Sequence, residues 1–267
     1  MLIELVGPAG CGKTTVAQRL DEILAEAGLP VMRFDALEEL ETTAGRSHVK
    51  TLDRMARWRL LAELCRRHPR ITVSVYLLAF LAGAHPGKSS RKRRFRYAWR
   101  ALGHLRLMLD LQSQTQGQIV VVHEGFTQLL WTMLIDSQAL RSEWLIRWVL
   151  RDYHAAVGQR AIRLVVDDAT NKERAFSRIS KGRFSRGSEA RHRQTFDRWL
   201  DYHRRIVALL PSEALIAEID ASGPRDQVAG EIATMIKHLF AKTRAQLGVR
   251  ADANAAETRS WLQCQKC

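Results

Sequence analysis

The chain has 267 residues, 46% of them hydrophobic, with a formal net charge of +14, a pI near 10.3 and four cysteines. That hydrophobic content is ample for a sizeable core, and four scattered cysteines exclude a disulfide framework. The longest uncharged apolar stretch, residues 71–84, is too short to cross a bilayer, so no transmembrane segment and a soluble, cytoplasmic location are expected. The charge points to anionic ligands such as nucleotides, phosphorylated metabolites, nucleic acid or an acidic membrane surface, or to a solvated arginine-rich surface.

Leu2 to Val6 is an apolar run suited to a buried parallel strand. Gly7-Pro8-Ala9-Gly10-Cys11-Gly12-Lys13-Thr14 then fits G-x-x-x-x-G-K-[ST] at every fixed position, and Thr14 to Ala27 reads as a helix. Glycines allow consecutive backbone N–H groups to face one concavity, and the helix adds the positive end of its dipole. Together they wrap phosphates. Lys13 would bridge the outer phosphates and the Thr14 hydroxyl would take a place on Mg²⁺, so the chain is expected to bind a nucleoside triphosphate. No signal peptide is expected, because the apolar opening runs straight into this loop.

Val31 to Phe34 reads as a short second strand with Asp35 at its carboxyl end, the edge where ligands gather in open α/β sheets. Asp35 is a candidate base or magnesium-side ligand, or the N-cap of a following helix. Ser47 to Arg67 has helical spacing, and Thr72 to Leu81 reads as a buried helix. Lys88 to Arg100 concentrates seven cations among Phe95, Tyr97 and Trp99. This segment could hold phosphates or stack single-stranded nucleic acid, or it could be a solvated loop entering a helix whose aromatics face the core.

Ile119 to Val122 is the clearest strand, ending in His123-Glu124-Gly125. An acid there is placed to hold a magnesium-bound water, or to cap the helix Phe126 to Ile135, on which Gln128 shares a face with Glu124. Trp144 and Trp148, one turn apart on the helix Ser142 to Val157, read as core packing. Ile162 to Val166 is a fourth strand and Asn171 to Ile179 a helix. The loop 181–188 follows, with Arg183 and Arg186, preceded by Arg174 and Arg178. Arginines on a mobile loop can swing over a transferring phosphoryl group. Glu189 to Leu210 is a long helix, and Ala214 to Ile219 a fifth strand with Asp220 at its tip. Residues 221–224 turn into the helix Asp226 to Leu247. A flexible polar tail, 248–267, ends in the Cys264/Cys267 pair, for which no second pair or nearby histidine completes a zinc site.

Strands alternating with helices imply a single domain over residues 1–247. Its class is a P-loop NTPase-type three-layer α/β/α fold with a five-stranded parallel sheet. The 46–118 stretch is a helical insertion between the second and third strands, and 181–188 a lid.

The order of parts resembles the thymidylate-kinase-like branch of the nucleoside and nucleoside-monophosphate kinases. The order runs from phosphate loop to helical insertion, acid-ended strand, arginine-rich lid, and a last strand ending in Ile219-Asp220-Ala221. The resemblance implies an ATP- and Mg²⁺-dependent phosphotransferase acting on a small acceptor such as a nucleoside or nucleotide. Gly7, Gly10, Cys11, Gly12, Lys13, Thr14 and Thr15 would bind ATP, with Ala221 and Ser222 against the adenine. Thr14 and Glu124 would serve the metal. Lys13, Asp35, Glu124, Arg178, Arg183 and Arg186 would be catalytic. Two departures stand out: Gly125 replaces the arginine that grips the acceptor's phosphate, and Arg33-Phe34-Asp35 replaces the family's Arg-Glu-Pro segment. Three readings follow: a small-molecule kinase; a nucleic-acid-directed ATPase or end kinase, not favoured; and a non-catalytic ATP-binding module. A homodimer stays open.

Overall fold

The computed structural model describes residues 1–32, 54–81, 89–114, 117–134, 143–178 and 189–264. Four strands form one parallel sheet in the order β2-β1-β3-β4: β1 Leu2–Val6, β2 Val120–Val122, β3 Arg160–Val165 and β4 Leu215–Asp220. Among the described residues the sheet therefore has four strands rather than the five expected. Of the expected second strand, Val31 makes an isolated parallel bridge to Ile119, and residues 33 and 34 lie outside the described residues. The bridge rests on two bonds, Met32 N–H to the Ile119 carbonyl and Ile119 N–H to the Pro30 carbonyl.

Side chains alternate across β1, so the strand divides the core in two. Ile3 and Leu5 face α1 (Lys13–Glu26) and the first half of α9 (Arg225–Cys264), among Val16, Leu20, Val228, Ile232 and Ile236. Leu2 and Val6 face the other layer, built from five elements. These are α2 (Arg54–Arg67), α3 (Pro69–Leu81), α4 (Ser89–Gln114), α5 (Phe126–Leu134) and α6 (Glu143–Val157), joined by the end of α8 (Glu189–Val207). The helix α7 (Asp168–Arg178) follows β3. Helices on both faces of a parallel sheet make the three layers, and α2, α3 and α4 occupy the stretch expected to be helical.

Several elements differ from the sequence reading, each for a local reason. The basic segment after residue 88 is the start of α4, in which Phe95 and Trp99 are four residues apart and share a face. Both rings pack on Tyr76 of α3, at 6.4 and 6.0 Å between centroids. Trp144 and Trp148 are exposed rather than in the core, edge to face with each other. The buried stripe of α6 is Leu145, Ile146, Val149, Leu150 and Tyr153, and the two tryptophans flank it. The helix α9 runs past Leu247 to Cys264, through a stretch rich in alanine, the residue with the highest helix propensity. Cys267 lies outside the described residues.

Candidate active site

All four strands run the same way, so the segments leaving their carboxyl ends share one edge of the sheet. Residues 7–12 leave β1 as the expected loop, and Lys13 opens α1. Gly10 and Gly12 have φ of +94° and +92°, a region that costs other residues conformational strain. A Cβ on Gly7 would come 2.5 Å from Cys11 Sγ and 3.1 Å from the Leu164 carbonyl oxygen. The loop is thus held against β3 by backbone-close packing. Lys13 Nζ donates to the carbonyls of Gly7 and, at 3.0 Å, Pro8, so its charge lies over the loop. Thr14 is exposed and Thr15 half-buried on the first turn of α1.

The helices α7 and α8 both pack on this loop. From α7, Asn171 is 1% exposed, and a Cβ on Gly10 would come 2.9 Å from its Oδ1 and 3.2 Å from Ala175 Cβ. Among the described residues no hydrogen-bond partner reaches the Asn171 carboxamide. From α8, buried His203 is tied to the Gly7 carbonyl, and its ring meets Trp131 edge to face. Burial pushes the His203 pKa down to about 3, aided by the positive charges of Lys13, Arg163 and Arg204, so the imidazole is neutral. Pro8, Val166, Asn171, Leu200, His203 and Arg204 line one cleft beside the loop. On the adjoining strand end, Arg174 of α7 donates to the carbonyls of Ala221 and Ser222, both at 2.9 Å. It thereby fixes the turn expected to meet adenine, which Asp220 also braces by accepting from the Ser222 N–H.

Glu124 is exposed just beyond β2, next to the strand that feeds the phosphate loop. The residue after it, Gly125, is buried because Glu4 of β1 lies against it. A Cβ at position 125 would come 2.2 Å from Glu4 Cδ and 2.3 Å from Oε1. Glu4 is 1% exposed and accepts from the Thr127 N–H and O–H, both at 3.1 Å, and from Gln159 Nε2 at 3.3 Å. Burial pushes its pKa up to about 7; the Thr127 and Gln128 bonds and the charge of Lys13 restrain the rise.

The structure therefore brings Gly7, Gly10, Cys11, Gly12, Lys13, Thr14, Thr15, Glu124, Ala221 and Ser222 to one edge of the sheet. Asp35, Arg183 and Arg186 lie outside the described residues, as does the side chain of Arg178 at the end of α7. Glu4, Asn171 and His203 were not anticipated. The one signal for Glu4 was an acid inside an otherwise apolar strand, and nothing in a long helix marked His203. Thr14 and Glu124 offer hard oxygen donors of the kind Mg²⁺ takes. Among the described residues no group of three or more His, Cys, Asp or Glu converges on a metal position. No helix among them is long and apolar enough to cross a membrane.

A nucleotide-type phosphate loop on a three-layer parallel α/β fold defines the P-loop class. Within it, the model of the phosphoribulokinase / uridine kinase family matches residues 2–128, from β1 through the first turn of α5. The likeness over this span supports a P-loop kinase that uses ATP and acts on a small substrate. A search of curated proteins found no match.

Proposed function

We propose that this chain moves the γ-phosphoryl group of ATP to a hydroxyl of a small acceptor, with parts ordered as in the thymidylate-kinase-like branch. The observation that carries the reading is the loop itself. Gly10 and Gly12 take left-handed conformations on either side of Cys11, and Lys13 folds back onto the carbonyls of Gly7 and Pro8. Lys13 would release its carbonyl contacts to bridge the outer phosphates. The Arg174-braced turn at Ala221 and Ser222 would take the adenine. The acceptor oxygen attacks the γ-phosphorus, the bond to the ADP oxygen breaks, and the hydroxyl proton passes to Glu124 or Asp35. Arg178, Arg183 and Arg186 would neutralise the charge that develops. Mg²⁺, when bound, supplies charge neutralisation at the phosphates, with Thr14 and Glu124 as its protein-side oxygens.

A hydroxyl acceptor is favoured over a phosphate one because position 125 has no room for a gripping arginine. The nucleic-acid reading loses two of the three rings it would stack on, since Phe95 and Trp99 are engaged by Tyr76. The test is ADP release over a panel of nucleosides, nucleotides, sugars and antibiotics, with product mass. One hydroxyl acceptor should gain a phosphoryl group, and Lys13→Ala should abolish both the gain and ATP binding. ATP binding without transfer to any acceptor would leave a non-catalytic module.

A further inference from the structure

A carboxylic acid in the middle of an inner strand is an expensive choice where a valine would pack without loss. Glu4 lies between Val122 and Ala161 in register, on the side of β1 that carries Leu2 and Val6. Its two oxygens take up the first turn of α5: Oε1 receives the Thr127 N–H, and Oε2 the Thr127 O–H. A carboxylate at a helix N-terminus meets both free N–H groups and the positive end of the dipole. The third donor, Gln159, accepts in turn from the Tyr153 O–H at 2.5 Å, and the Tyr153 ring stacks on Phe126 at 3.9 Å, nearly parallel. The network therefore closes on the same turn it starts from. Within that turn Gly125 is pressed on Glu4 by shape and Thr127 is tied to it by two bonds, and Glu124 is the residue next out.

We propose that Glu4 is a positioning residue for the phosphoryl-transfer site. It locks the first turn of α5 so that Glu124 stands in one place beside the phosphate loop, and it reserves position 125 for glycine. Glu4 touches neither nucleotide nor acceptor in this role; it acts through the turn. The proposal rests on the kinase reading for the use made of Glu124, but the wedge between Glu4 and Gly125 does not.

Two measurements separate these. The first is a double-mutant cycle on stability, with Gly125→Ala and Glu4→Ala alone and together. Glu4→Ala empties the space that the new Cβ needs, so Gly125→Ala should destabilise strongly in the wild-type background and little beside Ala at position 4. Equal costs in both backgrounds would overturn the wedge. The second measures binding of a fluorescent ATP analogue by the full chain with Mg²⁺ and with EDTA, in wild type and Glu4→Gln, on protein shown to be folded. The ratio of the two affinities cancels any uniform change at the loop. Displacing a residue that orients a metal-side carboxylate costs about 10–100-fold in metal affinity, so the Mg²⁺-dependent gain should fall by about tenfold or more in Glu4→Gln. Glu4→Asp should restore none of it, since the shorter carboxylate cannot reach Thr127. Should Glu4→Gln fail to fold, Thr127→Val, which keeps the N–H and removes one bond, should show a smaller loss of the same gain. An unchanged Mg²⁺ ratio in variants that bind ATP would overturn the positioning role alone. A wild type that binds no ATP would overturn the kinase reading and the positioning role with it.

Discussion

Three glycines near the site are required for three different reasons, and substitution separates them. Gly12 needs only its conformation, because a Cβ there would meet nothing within 4 Å while φ is +92°. Gly10 needs conformation and space, with φ at +94° and the Asn171 carbonyl and Oδ1 each 2.9 Å from a Cβ. Gly125 needs space alone. Gly12→Ala should cost about 1–2 kcal/mol, the penalty for a side chain in the left-handed region. Gly10→Ala should cost more, because α7 must also move away. Urea unfolding measures both. Equal losses would mean that Asn171 does not pack on the loop. The same contact gives Asn171 its consequence at this scale: its buried carboxamide, beside the Gly10 backbone and lining the cleft, has no partner among the described residues.

At the scale of elements, the first turn of α5 joins the strand that feeds the phosphate loop to the acid that follows β2. Thr127→Val keeps the shape of that turn and its N–H and removes the hydroxyl bond to Glu4. With the Glu4 pKa near 7, the lost bond is to a charged group at pH 8 and to a neutral one at pH 5. The variant should lose about 1.5–3 kcal/mol at pH 8 and about 0.5–1.5 kcal/mol at pH 5, read from urea unfolding at each pH. A loss that is the same at both would place the Glu4 titration elsewhere. Element-scale features were legible where one residue type had one explanation. The run Leu2 to Val6 followed by the glycine-lysine loop has only one reading, and Val120 to Val122 is branched enough to be only a strand. The pair Trp144 and Trp148 misled because a helical spacing of apolar residues does not say which of two adjacent stripes meets the sheet. Of the expected strand from Val31 only a bridge falls among the described residues, and so short a run carries no periodicity to test. Glu4 was passed over because its meaning lies in Gly125 and Thr127, more than a hundred residues away, and no local pattern reports a contact of that span.

For the whole molecule, the buried ionisable groups predict how stability follows pH. Burial pushes His203 down to about 3 and His104 down to about 4, the latter with the charge of Arg100 adding to it. Both are neutral in the folded chain and protonate on unfolding below about 6.5, so their contribution is complete above that pH and is lost as pH falls. Glu4 has the opposite sign. Its folded pKa lies above the unfolded one, so its proton favours the folded state below about 4.5 and that advantage disappears as pH rises through 7. Between pH 5 and 6 the unfolded chain gains two imidazolium protons and gives up one carboxyl proton. Stability should then rise with pH by about tenfold in the unfolding constant per unit. His154, also held low by burial, steepens that slope. Past 6.5 the histidine slope ends and two groups of opposite sign remain: Glu4, whose advantage fades through 7, and the Met1 amino group, held below its usual value by burial, whose contribution grows up to about 8. The carboxylates held below their usual range, Asp167, Asp220 and Glu63, titrate under this window and leave it undisturbed. Unfolding midpoints from pH 5 to 8 at fixed salt should therefore climb steeply on the acid side and level off above about 6.5. His203→Gln should flatten the acid side, and the midpoint of Glu4→Gln should gain on that of the wild type as pH rises through 7. A gap between those two midpoints that stays constant through pH 7.5 would show that Glu4 is already ionised in the fold. The turn of α5 would then be held by a full carboxylate throughout that range.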